Sequence, residues 1–541
     1  MKKTILFASI AASALILAIP LTFYLNKRAN NPNFNQNNQQ FTPYFQHANA
    51  LYEKGDYAQA ASFYVKAIKV NPEVAQAYHN LGLTLEKLNR PADALNIYKK
   101  SLSIDPNYKN SYLHIANIFK KQKKHATALA VVNDYLKKRP ADKQMLLLKS
   151  TILYDKGDLE TALALCKELI EKKADYSQAY IMLGSVYEKM NKIPEEIAAC
   201  KKAIELDPTN PKTHTALSDA YLAVGDYQKW APEYEWRWQS DTFKNKPNIP
   251  LWDGSSLKNK KIILLYENGL GDMIQYVRFI PKLKEQGAQI IVFAQKPLAK
   301  IFSTLPFIDQ VITDRNSLPA ADVMTSIMSL PYYFPVTQKT LGSTPYINAD
   351  PALIAQWKAH LAADKNIKIG VCWHASPIDA QYGIPQSKRT MPLKAIAQLA
   401  HTKGVSLYSL QKDWPADELK KYGINNLGAD FDATHGAFMD TAAVMKSLDL
   451  VITIDTVTAH LAGALNVPVW VMLPVAADVR WMLNRSDTPW YSSMKLFRQS
   501  KTDDWISVIQ KVRGELEKKI VAQHKTESQK NSRVIFKKQR A

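Results

Sequence analysis

The sequence predicts an α + α/β chain: an apolar N-terminal segment, a helical solenoid, and an α/β region built on parallel strands. Three observations carry this prediction. No charge occurs from Thr4 to Leu25, between Lys2-Lys3 and Lys27-Arg28. The prolines at 72, 106, 140 and 208 are spaced by about 34 residues or twice that. From Lys261 onward, apolar runs of strand length alternate with helix-patterned segments.

The uncharged run is long enough, as a helix, to cross about 30 Å of hydrocarbon. A secretory leader would have a shorter apolar core followed by a small-x-small site, and the one such word, Ala12-Ser13-Ala14, falls mid-run. Residues 1–25 are therefore expected to be an uncleaved transmembrane helix, with the membrane as partner through residues 4–25. Residues 26–40, rich in Asn and Gln, read as a flexible linker.

The proline period belongs to tetratricopeptide repeats, helix pairs that bury their apolar faces only by stacking, and it places a solenoid at residues 41–240. Ala60, Ala94, Ala128 and Ala162 recur where the second helix of a pair must come close, Tyr44, Tyr78, Tyr112 and Tyr180 recur in the first helix, and Gly82 and Gly184 sit where helices cross. Ala174 stands where the period asks for a proline. From Phe41 this gives five full repeats and a sixth, Pro211 to about Trp238, whose ending Tyr234-Glu235-Trp236-Arg237-Trp238 suits a cap. Such a solenoid predicts a groove for an extended peptide or glycan carrier, with Asn80 and Asn117 available to it. Cys166 and Cys200, one repeat apart, and Cys372, inside a strand, read as buried, reduced thiols.

Residues 241–260, with Pro247, Pro250 and Trp252-Asp253-Gly254, read as a linker. The strand Ile262 to Tyr266 then runs into Glu267-Asn268-Gly269-Leu270-Gly271-Asp272 and a helix start, where Gly269 and Gly271 permit a tight turn and close approach to a ligand. Next come the strand Ile369 to Trp373, the pair Lys388-Arg389, and the strand Val405 to Leu410 followed by Gln411-Lys412. Finally, Leu450 to Ile454 reaches Asp455-Thr456 and a helix carrying Thr458 and His460. Unpaired N–H groups and a partial positive charge make such a helix start suited to phosphate. Ordinary capping by Asp272, Asp455 or Thr456, and a solvated charge pair at Lys388-Arg389, are the alternatives on the residues alone.

Over roughly residues 228 to 505 these motifs, in order, resemble those of bacterial proteins that join tetratricopeptide repeats to a GT-B glycosyltransferase domain of the heptosyltransferase-like kind, similar to glycosyltransferase family 9. The words IDTVTAHLAGALNVPVWVMLP and RWMLNRSDTPWYSSMKLFRQ carry most of the likeness. The resemblance implies a pair of Rossmann-type α/β lobes, an N-terminal lobe at 261–350 and a nucleotide-binding lobe at 351–514; by composition, residues 515–541 read as a basic polar tail. It also implies metal-independent transfer of a sugar, from a nucleotide-sugar donor that is a substrate and not a cofactor, to a protein or glycan acceptor recruited by the repeats. In it Asp272 matches the proposed base, with Glu267 in reserve. Gly269 and Gly271 form the ligand-facing turn, Lys388 and Arg389 face the donor phosphates, and Gln411, Lys412, Asp455, Thr456, Thr458 and His460 line the nucleotide crevice. Two departures keep a membrane-tethered, non-catalytic scaffold with a degenerate GT-B domain as the alternative: His374-Ala375-Ser376 replace a glycine and asparagine after the tryptophan, and Val479 replaces a tryptophan before Arg480.

At 541 residues and 46% apolar, the chain is long enough for a solenoid and a two-lobed domain with separate cores. The net charge of +21 is spread along helices and the polar tail, so no nucleic-acid partner is expected. No Cys or His spacing suggests a metal site. The charges flanking the apolar run are nearly balanced. Because nucleotide sugars are made in the cytoplasm, the expected location is the bacterial inner membrane, single-pass, with the soluble domains on the cytoplasmic face.

Overall fold

The computed structural model describes the backbone of residues 32–240, 243, 246–341, 345–375, 389–412 and 414–540, and the side chains of these except 32–39 and 523–540. Among the described residues no helix is long and apolar enough to cross a membrane. That finding overturns the membrane-spanning fold class and the single-pass inner-membrane location expected from the sequence. The described helices carry polar faces, whereas hydrocarbon demands an apolar surface all round. The run 4–25, on which both expectations rested, lies outside the described residues. The architecture on view is a tetratricopeptide-type helical solenoid followed by an α/β region with parallel sheets.

The described residues fall into two compact units, one ending at Pro208 and the other beginning at Thr209. In the first, consecutive helices pack in pairs, from Pro32–Lys54 with Tyr57–Val70 to Ser177–Lys189 with Ile193–Leu206. The first of these starts inside the stretch read as linker, since Asn and Gln at 32–40 continue the first repeat helix. Ala60, Ala94, Ala128 and Ala162 are all 0% exposed, as close helix approach requires. Gly82 is glycine for a visible reason: a Cβ there would lie 2.5 Å from the Tyr98 ring. Cys166 and Cys200 are buried free thiols. Asn80, expected to face the groove, is instead buried between helices, its Nδ2 donating to Asn49 Oδ1 at 3.1 Å.

The second unit opens with helices Pro211–Val224 and Tyr227–Tyr234 and a 3-10 turn, Glu235–Gln239. Its first sheet contains strands β1 (Lys261–Leu265), β2 (Gln289–Phe293), β3 (Gln310–Ile312) and β4 (Val323–Ser326), all parallel, in the order β3-β2-β1-β4. The expected linker is partly absorbed into this lobe, because Leu251 bridges to Met324 and Trp252 is buried. The second sheet contains β5 (Ile367–Cys372), β6 (Val405–Ser409), β7 (Ile424–Asn425), β8 (Leu450–Ile454), β9 (Val469–Leu473) and β10 (Met494–Arg498), also parallel, in the order β10-β9-β8-β5-β6-β7. Helix Trp505–Arg540 closes the core of this lobe with Trp505, Val508, Ile509, Val512 and Leu516, and runs on through the segment read as a polar tail.

Both sheets are doubly wound. The strand order reverses between β1 and β4 in the first and between β5 and β8 in the second. Ligands of such sheets bind outside the carboxyl ends of the strands at the reversal. The sites to inspect are therefore the turn after β1 and the turns after β5 and β8.

Candidate functional site

The turn after β1 opens helix Leu270–Tyr276. Gly269 N–H donates to Asp272 Oδ2 at 2.9 Å, so Asp272 caps its own helix. The other oxygen, Oδ1, lies 2.6 Å from Arg480 Nη1 on the loop after β9, a close ion pair whose N–H is not aligned as a hydrogen bond. Arg480 also grips Asp478 with two parallel bonds, Nε to Oδ1 at 2.9 Å and Nη2 to Oδ2 at 3.0 Å, and donates from Nη1 to Gln275 Oε1 at 3.0 Å. Gln275 is fully buried and its Nε2 finds no partner among the described residues.

One guanidinium thus serves carboxylates from both lobes, the buried Asp272 and the partly exposed Asp478. Burial pushes the Asp272 carboxyl up, with Arg480 opposing it. Burial and the Asp478 charge push Asp455 up. Asp478, against a burial that would raise it, is held down at about 2 by the charge and hydrogen bonds of Arg480.

Gly271 also makes a close approach, but to the other lobe. A Cβ there would lie 2.5 Å from His460 Cδ2. His460 stacks on Trp481, centroids 5.3 Å apart, and its Nδ1 is 2.9 Å from the Tyr491 hydroxyl, so the ring cannot easily give way. Burial, with the Arg480 charge, drives His460 far below the usual imidazole range. It is a neutral interlobe packing group.

At the carboxyl ends of β5 and β8 a second group assembles. Thr456 begins helix Val457–Ala464 in extended backbone without a side-chain cap bond, so the capping alternative is not what the structure uses. Its hydroxyl is 3.3 Å from Thr453 Oγ1 and 3.9 Å from Cys372 Sγ. Gln411 Oε1 accepts from Cys372 Sγ at 3.3 Å and His374 N–H at 3.1 Å, tying the end of β6 to that of β5. Asp455 is buried, with Oδ2 3.9 Å from Arg389 Nη1. Thr458 is buried behind these groups, Lys412 is exposed, and Lys388 lies outside the described residues. Burial raises the Cys372 thiol.

Glu267 has different work. Arg237 Nε and Nη2 donate to its Oε1 and Oε2 at 2.7 and 2.9 Å, the Ser326 hydroxyl donates at 2.5 Å and the Tyr234 hydroxyl at 3.3 Å. The Arg237 guanidinium sits 3.9 Å from the Tyr234 ring centroid. The carboxylate is thus the anchor of the Glu235–Gln239 turn on the first lobe, with both oxygens engaged. Sequence reasoning missed Arg480, Asp478 and Arg237 as site residues. The one signal for Arg480 was its position after the β9 run in the quoted word. Among the described residues there is no group of three or more His, Cys, Asp or Glu that could hold a metal ion.

Two family models match the helical part of the chain. A tetratricopeptide repeat model covers residues 45–109, and the model for the Psidin N-terminal tetratricopeptide region covers residues 114–231. The repeats are therefore tetratricopeptide repeats. Protein FlbA of Caulobacter vibrioides is 24% identical over 319 residues, covering 54% of this chain and 52% of FlbA, so the chain spans about half the length of that curated relative. Among solved structures, Pseudomonas aeruginosa pilF is 13% identical with a TM-score of 0.33, covering 38% of this chain and 93% of pilF. PilW, a type IV pilus biogenesis factor, is 18% identical with a TM-score of 0.34, covering 38% of this chain and 96% of PilW.

Proposed function

We propose that this is a tetratricopeptide-repeat protein that binds a protein partner through its solenoid and carries a GT-B glycosyltransferase domain acting on a nucleotide-sugar donor. The observation that supports the second half is the pairing of an uncapped helix start at Thr456 with Arg389 at the strand-order reversal of a parallel sheet. Free N–H groups, a helix dipole and a guanidinium together suit a diphosphate. A departing nucleoside diphosphate needs that positive potential as charge develops on it. The repeats supply the recruiting surface, and the acceptor is a protein or a glycan it carries.

A second reading has its own support. Asp272 and Glu267, the carboxylates the sequence nominates as proton acceptors, are both engaged in buried ion pairs. A scaffold with a silent GT-B domain would look the same at these two positions. Thermal-shift and calorimetric titration of the full chain with nucleoside diphosphates and their sugars, with and without EDTA, separates the readings. Ligand bound by the native state alone raises stability. Binding that survives EDTA fits the transferase, and no binding by any donor fits the scaffold.

A further inference from the structure

The repeats share one turn. Each joins its two helices through a residue in the left-handed region: Gly55, Asn89, Lys123, Gly157, Asn191 and Gly225, with φ of 83°, 57°, 58°, 91°, 56° and 76°. Glycine takes that conformation freely and asparagine at small cost, but a lysine Cβ crowds the carbonyl that follows it. The next residue starts the second helix. Asp56 and Asp226 do so by accepting from the N–H groups of Gln59 at 3.1 Å and Lys229 at 3.3 Å. In the third repeat Lys124 stands there, makes no side-chain cap bond, and sets a positive charge against the positive end of helix His125–Lys138. Two consecutive lysines thus occupy the places that local structure would give to glycine and aspartate.

What the departure gains is concentrated charge. From Pro106 to Asn133 the chain holds five lysines and no Asp or Glu. Lys120 lies 4.0 Å from Asp155 of the next repeat, whereas Lys121, Lys123 and Lys124 are exposed and make no ion pair among the described residues. Glu86, in the repeat before, is engaged by the Tyr98 hydroxyl at 2.6 Å and by His114 Nδ1 at 2.8 Å. Lys87, exposed at the matching turn of that repeat, continues the positive edge, because packed helices lie about 8–10 Å apart. An extended peptide advances about 3.3 Å per residue, so carboxylates on every third residue meet successive turns. The turn 120–124 interleaves no aromatic ring, which a surface that stacks nucleic-acid bases would need. Residues that break local rules without a local gain point to a role outside the fold.

We propose that the turn from Lys121 to Lys124 is a docking point for an acidic, extended segment of a partner protein. It rests on the reading of the solenoid as a protein-binding surface and not on the glycosyltransferase reading. Ammonium groups on flexible stems reach carboxylates without fixing their spacing, so the contact is electrostatic and weakens with salt. Its contribution is to speed encounter and select partners by charge.

The experiment follows the anisotropy of a fluorescein-labelled Glu-Ser repeat peptide titrated with the full chain. Lys123→Gly combined with Lys124→Asp installs the turn that the first repeat carries at Gly55-Asp56. The pair is expected to raise the urea midpoint and to weaken peptide binding by about tenfold. Lys123→Asn, the residue used by the second and fifth repeats, should move both readouts the same way by less. Lys137, Lys138 and Arg139, changed together to Gln at the far end of helix His125–Lys138, remove as much positive charge as the pair does and should leave peptide binding in place. Equal weakening in that control reduces the effect to the chain's net charge of +21 and overturns the docking point. So does a wild type that fails to bind the peptide, binding unchanged in the Lys123 and Lys124 variants, or tighter binding of an oligothymidylate of equal charge. A urea midpoint that does not rise overturns it as well, because the lysines then cost the turn nothing. None of these results bears on protein binding by the solenoid's groove, so the docking point fails separately from that reading.

Discussion

Arg480 and Asp272 bring a guanidinium from one lobe and a carboxylate from the other to 2.6 Å, and Asp478 holds the same guanidinium from behind with two hydrogen bonds. The cation is the counter-charge that these two carboxylates share. Removing it leaves buried Asp272 without its cation, while Asp478 is partly exposed and Asp455 keeps Arg389, and breaking a buried pair from one side costs about 3–5 kcal/mol. Arg480→Met is expected to lower the urea midpoint sharply. Asp272→Asn should cost much less, because the amide still accepts from Gly269 N–H and Arg480 keeps Asp478. Urea titrations of the two variants check the order, and equal losses would contradict it.

Glu267→Gln discriminates an anchor from a base. The carboxylate takes two bonds from Arg237 and one from Ser326, so its neutralisation costs Arg237 one of its two carboxylate partners and leaves Glu235 as the other. The expected outcome is a loss of about 1–3 kcal/mol in stability, with donor turnover per folded molecule unchanged. Denaturation and activity measured on the same samples decide it.

Much of the fold was legible because its signals are local and repeated. The alanines at 60, 94, 128 and 162 are fixed by a period that a linear reading detects, and the strands before Glu267 and Asp455 by apolar runs of strand length. What a strand end meets across the lobes is not local. Gly271 read as a place for a ligand to come close, but the group that comes close is His460. Glu267 read as a reserve base, but its partner Arg237 comes from the turn that closes the repeats. Trp252 read as linker because Pro, Gly and Asp surround it, although the ring belongs to the first lobe.

Stability should fall in mild acid because of His79. This buried imidazole, ringed by Tyr98, Tyr108 and His114, is pushed from 6.5 down to about 3, by burial first and the His114 charge second. The folded state therefore binds its proton less readily than the unfolded state. The stabilisation is full above pH 6.5 and is lost as pH falls towards 3, with a slope of up to about 1.4 kcal/mol per pH unit. His79→Gln should flatten that slope over this window, and urea titrations at stepped pH, with hydrogen exchange followed in helix Ala75–Lys87, measure it. An unchanged slope would place the acid sensitivity elsewhere.

Donor binding should depend on Arg389 and not on a metal ion. A charge-assisted hydrogen bond to a phosphate contributes about 1.5–3 kcal/mol. Arg389→Ala is expected to weaken nucleoside diphosphate binding by at least tenfold, with EDTA leaving the wild-type affinity unchanged. Calorimetry reports both, and a strict requirement for magnesium or manganese would count against the proposed phosphate site.

The last prediction concerns the smallest side chain in the site. Gly271 has no positive φ in this structure, so alanine is acceptable to the backbone, and its cost must come from the 2.5 Å approach to His460 Cδ2. His460 is held by Trp481 on its face and by the Tyr491 hydroxyl at Nδ1, and Gly463 on the same helix is itself packed against the Tyr491 ring. No flexible side chain is there to absorb the methyl group, so the helices Leu270–Tyr276 and Val457–Ala464 have to separate. Overpacking of this kind costs about 1–3 kcal/mol. Separation also lengthens the Arg480–Asp272 contact, so Gly271→Ala and Asp272→Asn should be less than additive in a double-mutant cycle. Full additivity would mean that the two lobes meet at Gly271 and at Arg480 independently.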